Sequence, residues 1–281
     1  MILDTIAEAT ALRVAEQKKQ IPPKVMEEAA IRLAKTQRRC FPFEQALGRR
    51  NINFICEVKK ASPSKGIIAE DFPYVRIARE YEQAGAAAIS VLTEPRFFLG
   101  KDEYLEEIVN AVQIPVLRKD FTIDPYQIYQ AKTLGASAVL LICALLEQPV
   151  LKEYLEICQM LGLSALVEAH DEQEIQSAAD AGARIIGVNN RNLKTFDVDI
   201  QNSRKLRALV PESIIFVAES GIRTADDVQA LREAGVHAVL IGETLMRSPD
   251  KHKMLQTLRG DRLFQGERLF REENSFREER L

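Results

Sequence analysis

Residues 181–190, AGARIIGVNN, hold the pattern that decides the fold: a glycine, an apolar run, then a polar end. The phrase that opens it returns as AGAAAI (84–89), LGASAV (134–139) and AGVHAV (234–239), with starts 50, 47 and 53 residues apart along the chain. Stretches with helical periodicity lead into these phrases, as in PYVRIAREYEQAG (73–85), DPYQIYQAKTLG (124–135) and TADDVQALREAG (224–235). Glycine tolerates the left-handed backbone that stops a helix, so Gly85, Gly135, Gly182 and Gly235 are read as helix C-caps. Further apolar runs lie between the repeats and complete a set of eight strands: 53–59, 87–92, 115–120, 138–144, 165–169, 184–190, 214–219 and 237–242. Most are continuous hydrophobic runs, as expected where helices cover one face and a core fills the other. Eight alternating βα units in ~200 residues favour closure, so the expected class is α/β, a single (β/α)8 TIM barrel. An open doubly wound sheet would more often carry a glycine-rich turn after its first strand, and there is none.

The flanks differ from the repeat. Residues 1–50 form an N-terminal helical extension, expected to cover the barrel mouth. Its second helix starts at Pro22-Pro23, and Val25, Ala29 and Leu33 form its apolar side. The catalytic barrel is expected over 51–260. Residues 261–281, DRLFQGERLFREENSFREERL, are a charged tail with spaced Leu and Phe, expected to be helical.

Composition narrows the function. A net charge of −3 with both signs mixed offers no basic face for nucleic acid or an anionic membrane. No apolar run approaches the ~20 residues of a membrane span, and the start MILDTIAEATALRVAEQ lacks the basic-then-apolar order of a signal peptide. Cys40, Cys56, Cys143 and Cys158 are scattered without a CxxC pair, which points to buried free thiols in a reducing cytosol. Three dispersed histidines give no metal-ligand spacing, so no metal is expected. The expected partner is a small molecule in the cytoplasm.

Barrel enzymes keep their chemistry at the C-terminal ends of the strands. Here those ends carry Glu57 and Lys59, Lys119, Glu168, Asn189 and Glu219. Alternation along a strand points Glu57 and Lys59 the same way, and pairs Leu117 with Lys119, Leu166 with Glu168 and Val217 with Glu219. Pointing outward, such charges would be buried under helices at a cost. Pointing inward at the mouth, they meet opposite charges and solvent. A structural ring of ion pairs is the alternative to a reaction centre, but three carboxylates and two lysines at one end favour chemistry. After strand 7 comes Ser220-Gly221, and after strand 8 Gly242-Glu243-Thr244; loops at these two places often bind phosphate through backbone N–H groups. The loop KKASPSKG (59–66) adds Lys60, Ser62, Ser64 and Lys65, and suits a mobile lid over a charged substrate.

Six motifs then occur in order, one per strand end: FICEVKKASPSKG, VLRKDF, LVEAH, IGVNNRNL, VAESGI and LIGETLM. Together they resemble the motif set of the indole-3-glycerol-phosphate synthase family over residues ~1–260. Asn192 stands where that family more usually has Asp, and Leu99-Gly100-Lys101 departs from a stretch that is often more polar before its Gly and has Ser after it. The resemblance implies a carboxy-lyase of tryptophan biosynthesis. Such an enzyme converts 1-(2-carboxyphenylamino)-1-deoxyribulose 5-phosphate to indole-3-glycerol phosphate, losing CO2 and water. It further implies Lys119 as general acid and Glu168 as general base, assisted by Glu57, Lys59, Asn189, Glu219 and Ser220. Phe98 and Arg191 would meet the anthranilate end, and Gly221, Gly242 and Glu243 the phosphate, with Lys59 and Ser62 nearby. No cofactor is implied, because loss of CO2 restores aromaticity without an external electron sink. Another phosphosugar barrel, such as phosphoribosylanthranilate isomerase, would share the phosphate loops but needs neither the two lysines nor the extension. A barrel kept as a binding module would bind without turnover.

Overall fold

The computed structural model describes residues 2–36, 40–192 and 195–260. Eight parallel strands close into a barrel: β1 (Asn53–Val58), β2 (Ala88–Leu92), β3 (Val116–Lys119), β4 (Ala138–Ile142), β5 (Ser164–Ala169), β6 (Ile185–Asn189), β7 (Ile215–Glu219) and β8 (Ala238–Ile241). Every expected run forms a strand within one or two residues of its expected ends. β1 pairs with both β2 and β8, which closes the ring. Three helices precede the barrel: α1 (Ile2–Gln20), α2 (Pro23–Thr36) and α3 (Pro42–Leu47). The outer ring is α4 (Tyr74–Gln83), α5 (Asp102–Ala111), α6 (Pro125–Thr133), α7 (Gln148–Leu161), α8 (Glu172–Asp180), α9 (Gln201–Arg207) and α10 (Ala225–Glu233). The short α11 (Glu243–Arg247) and then α12 (Lys251–Arg259) follow β8. The tail 261–281 lies outside the described residues.

Local chemistry sets the helix ends. Asp124 caps α6 by accepting from Tyr126 N–H at 3.0 Å, with Pro125 at the first position where no N–H is needed. Thr224 and Asp227 form a capping box on α10. Gly85, Gly135, Gly182 and Gly235 all sit at φ between 79° and 93°, as the C-cap reading requires.

Alternation along the strands makes two cores. Phe54, Cys56, Val58, Ile89, Val91 and Val139 face outward into one shell with the helices. Ile55, Leu117, Leu140, Leu166, Val217 and Leu240 face inward and fill the barrel. At the N-terminal end of the ring the inward residues of three strands are small: Ala88, Ala138 and Ala238. Phe43 and Leu47 of α3 pack into the same cluster and are fully buried. Burying each such side chain contributes about 2–3 kcal/mol, so α3 is a floor that stabilises the barrel.

α2 packs against α6, but not through the face expected for it. Val25 and Leu33 are exposed, whereas Met26 and Ala30 are buried and Ala34 is half-buried. Two apolar rows one residue apart run along this helix, and periodicity alone cannot choose between them; the neighbouring helix does. The cysteine expectation also needs correction. All four are free, but Cys40 is exposed and Cys143 half-buried, since neither lies within a packed strand or helix face.

Candidate active site

A cavity of about 410 Å³ opens at the C-terminal ends of the strands. It is lined by Glu57, Lys59, Ser62, Phe98, Lys119, Glu168, Asn189, Arg191, Glu219, Ser220, Gly221, Gly242 and Glu243, but not by Lys60 or Lys65 of the loop 59–66. Glu57, Lys119, Glu168 and Glu219 each stand one inward step beyond a core residue of their own strand, namely Ile55, Leu117, Leu166 and Val217, so the layer that ends the core begins the site.

Lys119 is the centre. Its Nζ lies 3.3 Å from Glu219 Oε2, 3.8 Å from Glu168 Oε2 and 3.9 Å from Glu57 Oε2. Lys59 pairs with Glu57 through Oε1. Asn189 Nδ2 donates to Glu168 Oε1 at 3.2 Å. Burial opposes the charge on Lys119, but the three glutamates outweigh it and raise the ammonium above its ordinary range. Burial likewise opposes ionisation of Glu57, which Lys59 and Lys119 hold below its ordinary value. For Glu168, contact with His170 and the charge of Lys119 overcome burial and bring the carboxyl down to about 2. Glu219 goes the other way. Burial dominates, Lys119 offsets only part of it, Glu168 adds repulsion, and the carboxyl is pushed up to about 7. The resting site therefore holds a protonated Lys119, an ionised Glu168 and one glutamate that titrates near neutrality.

One end of the cavity suits an anion. Ser220 and Gly221 both adopt left-handed backbone, φ 67° and 83°, directly after β7. Such a conformation is strained for serine and marks functional loops. A Cβ on Gly221 would also stand 2.4 Å from Val198 Cγ1. Beside this turn lie Gly242 and the start of α11, with Lys59, Arg223 and Arg247 on the same wall. Gly242 has a second duty: a Cβ there would lie 2.3 Å from Glu57 Oε1 and 2.9 Å from Lys59 Nζ. The expected lid 59–66 is a small hairpin in which Ala61–Ser62 pairs with Gly66–Ile67.

The other end is apolar. Phe98 and Phe121 pack with ring centroids 5.9 Å apart, beside Leu3 and Ile6 of α1, Ile142 and Phe196. Arg191 crosses this side and donates from NH1 to Phe196 O at 3.1 Å. α1 is held there by a buried polar cluster. Arg13 NH2 donates to both Asp120 oxygens at 2.8 and 3.0 Å. Thr93 Oγ1 donates to Asp120 Oδ2, and the outward, buried Arg118 reaches Asp102 at 2.7 Å and Asp120 at 3.4 Å.

Sequence reasoning missed Leu3, Ile6, Phe121 and Phe196, the Arg13–Asp120 tether, His170, and Gly187. The spacing of Leu3, Ile6, Thr10 and Val14 signals a buried stripe, but not what it faces. Gly187 had a readable signal, since glycine inside a strand marks a close approach. A Cβ there would lie 2.3 Å from Glu219 Oε1, so its absence makes the seat for that carboxylate. Among the described residues, no group of three His, Cys, Asp or Glu is placed to hold a metal ion.

The sequence was also compared with known proteins. The family model for indole-3-glycerol phosphate synthase matches residues 3–258. The indole-3-glycerol phosphate synthase of Ruminiclostridium cellulolyticum is 61% identical over 260 residues, covering 92% of this chain and 99% of its own. That of Endomicrobium trichonymphae is 58% identical over 259 residues, covering 92% and 100%. Among solved structures, 3-hexulose-6-phosphate synthase from Salmonella typhimurium aligns with a TM-score of 0.61 at 11% identity, covering 74% of this chain and 96% of its own. The last likeness is one of fold alone.

Proposed function

The chain belongs to the indole-3-glycerol phosphate synthase family, and from that premise we propose how its residues divide the work of the decarboxylating ring closure. The substrate is 1-(2-carboxyphenylamino)-1-deoxyribulose 5-phosphate, a small phosphosugar derivative. Its phosphate lies on the backbone of Ser220–Gly221 and Gly242–Glu243, near Lys59 and Ser62, and its anthranilate ring lies against Phe98 and Arg191. This leaves the ketone over Lys119. The observation that carries the reading is the ammonium of Lys119 set among Glu57, Glu168 and Glu219 between an anion-binding and an apolar end.

As the ring carbon bearing the carboxylate attacks the ketone, Lys119 gives its proton to the ketone oxygen. Loss of CO2 returns the electron pair to the ring and restores aromaticity. Lys59 then protonates the departing hydroxyl, which leaves as water, while Glu168 accepts a proton from the new ring. Two protons are given and one is taken, which matches the loss of one carboxylate charge as CO2. Asn189, Glu219 and Ser220 contact the substrate hydroxyls or orient these groups. Acid–base steps of this kind contribute ~100- to 10,000-fold each.

We further read α1 as the part of the extension 1–50 that closes the apolar end, through Leu3 and Ile6, while α3 closes the opposite end of the barrel. We read the protein as cytoplasmic, which its four free cysteines support. No helix among the described residues is long and apolar enough to cross a membrane. The test is fluorimetric: purified protein with the carboxyphenylamino substrate should release the fluorescent indole product, and phosphoribosylanthranilate should not be turned over. The reverse result overturns the reading.

A further inference from the structure

We propose that His170, gripped from behind by Glu174, is a positioning residue that aims Glu168 and keeps it ready to accept a proton; this rests on Glu168 being the base. His170 follows β5 directly and does not line the cavity, so it acts only through its neighbours. Its Nδ1 lies 3.0 Å from Glu174 Oε2, and the same oxygen accepts the His170 backbone N–H at 2.8 Å. Glu174 is itself fixed by its own N–H donating to Asp171 Oδ1 at 2.9 Å, in the first turn of α8. From α9, Asn202 Nδ2 donates to His170 O at 3.1 Å. Ring and main chain are thus held on three sides.

The free side of the ring points at the site. Nε2 lies 3.4 Å from Glu168 Oε1, the oxygen that also accepts from Asn189. With Asn189 hydrogen-bonded to Oε1 and the imidazole in ion-pair contact with the same oxygen, Oε2 is the oxygen nearest Lys119. One oxygen anchors and the other reacts. The charged and titratable groups around the ring are Glu168 on β5, Glu174 and Asp171 on α8, and Cys143 after β4, whose Sγ donates to Glu174 O; Lys119 on β3 stands beyond Glu168. The set is mostly acidic. Burial opposes the imidazolium, but Glu168 and Glu174 outweigh it and raise His170 to about 10. The ring is therefore a fixed cation at neutral pH, placed to keep Glu168 ionised in a buried position.

The experiment compares kcat and KM from pH 5 to 9 for the full-length enzyme and its His170→Phe variant. Without the imidazolium, burial acts on Glu168 unopposed from that side, and its protonation moves to higher pH. The expected result is an acid limb of kcat that moves from below the measured range up to near pH 7, the position of Glu219, which sits buried beside Lys119 without a second cation. At pH 6 kcat should fall about tenfold, with KM changed less than about threefold and near-parental kcat at pH 9. His170→Gln keeps a donor without the charge and should give an intermediate shift. Glu174→Gln, which loosens the ring without touching Glu168, should shift the limb the same way and serves if the Phe variant does not fold. A parental pH profile in folded variants, or a loss of kcat uniform with pH, overturns the proposal. Glu168→Gln separates the two levels. If it is inactive while the His170 variants keep the parental profile, only the positioning role falls; if it is active, the base assignment falls and this inference with it.

Discussion

Replacing Lys119 with methionine keeps the aliphatic bulk and removes both proton and charge. At separations of 3.3–3.9 Å, and with an effective dielectric near 20, each of its three carboxylate contacts is worth about 4–5 kcal/mol before desolvation. Desolvating a buried ammonium takes back several kcal/mol of that gain. Breaking such a buried cluster by deleting one partner typically costs about 3–5 kcal/mol. Here pH moderates the cost. Glu57 keeps Lys59 and Glu168 keeps His170, so Glu219 is the glutamate left most exposed to uncompensated charge. Its carboxyl already sits at about 7 against an ordinary 4.5, so it binds its proton more tightly folded than unfolded. Its contribution to stability is full below about 4.5 and is lost as pH rises through about 7. Removing Lys119 raises that value further, so Lys119→Met should lose little melting temperature at pH 6 and markedly more at pH 9. Turnover should fall by ~100-fold or more at every pH, because the acid itself is gone. Thermal melts and fluorimetric kcat, measured on the same samples at both pH values, separate these effects. Near-normal kcat in a folded Lys119→Met protein would refute the role of acid. A purely structural ion pair would instead be restored in the Lys119→Met/Glu168→Gln double variant. The cluster geometry forbids that rescue, since Glu57 and Glu219 still face the missing charge.

Gly187→Ala should displace the Glu219 carboxylate, lowering kcat about tenfold and stability by about 1–3 kcal/mol; kinetics and melting temperature at parental values would mean that Glu219 does not need that seat. Gly242→Asp should raise KM by repelling the phosphate and also lower kcat by striking Glu57 and Lys59, and an unchanged KM in steady-state kinetics would place the phosphate elsewhere. Arg13→Met should leave Asp120 to Arg118 and Thr93 alone and loosen α1, costing about 2 kcal/mol in denaturant melts and raising KM several-fold as Leu3 and Ile6 leave the apolar end; a stability loss with unchanged KM would show that α1 serves the fold alone.

The sequence by itself determined the barrel. Glycine C-caps, apolar runs and their spacing are local signals, and eight of them in a row leave one parallel closure that buries every run. It also determined which side chains reach the mouth, because strand parity assigns Glu57, Lys59, Lys119, Glu168, Asn189 and Glu219 to one face without knowledge of their neighbours. What the tertiary structure alone decided is how those charges share a space. Lys119 is close to three glutamates from three different strands, and only their distances and burial divide an ionised Glu168 from a Glu219 that titrates near 7. The same holds for contacts made by elements remote in sequence: Arg13 with Asp120, Leu3 and Ile6 with the substrate space, and the choice of Met26 and Ala30 over Val25 and Leu33 as the packed face of α2. His170 lay within a motif that was read, LVEAH, yet its part became visible only when Glu174, one helical turn further on, closed around the ring. Periodicity reports which way a side chain points; what it meets there depends on the other elements, and charge balance, desolvation and fit are properties of that meeting.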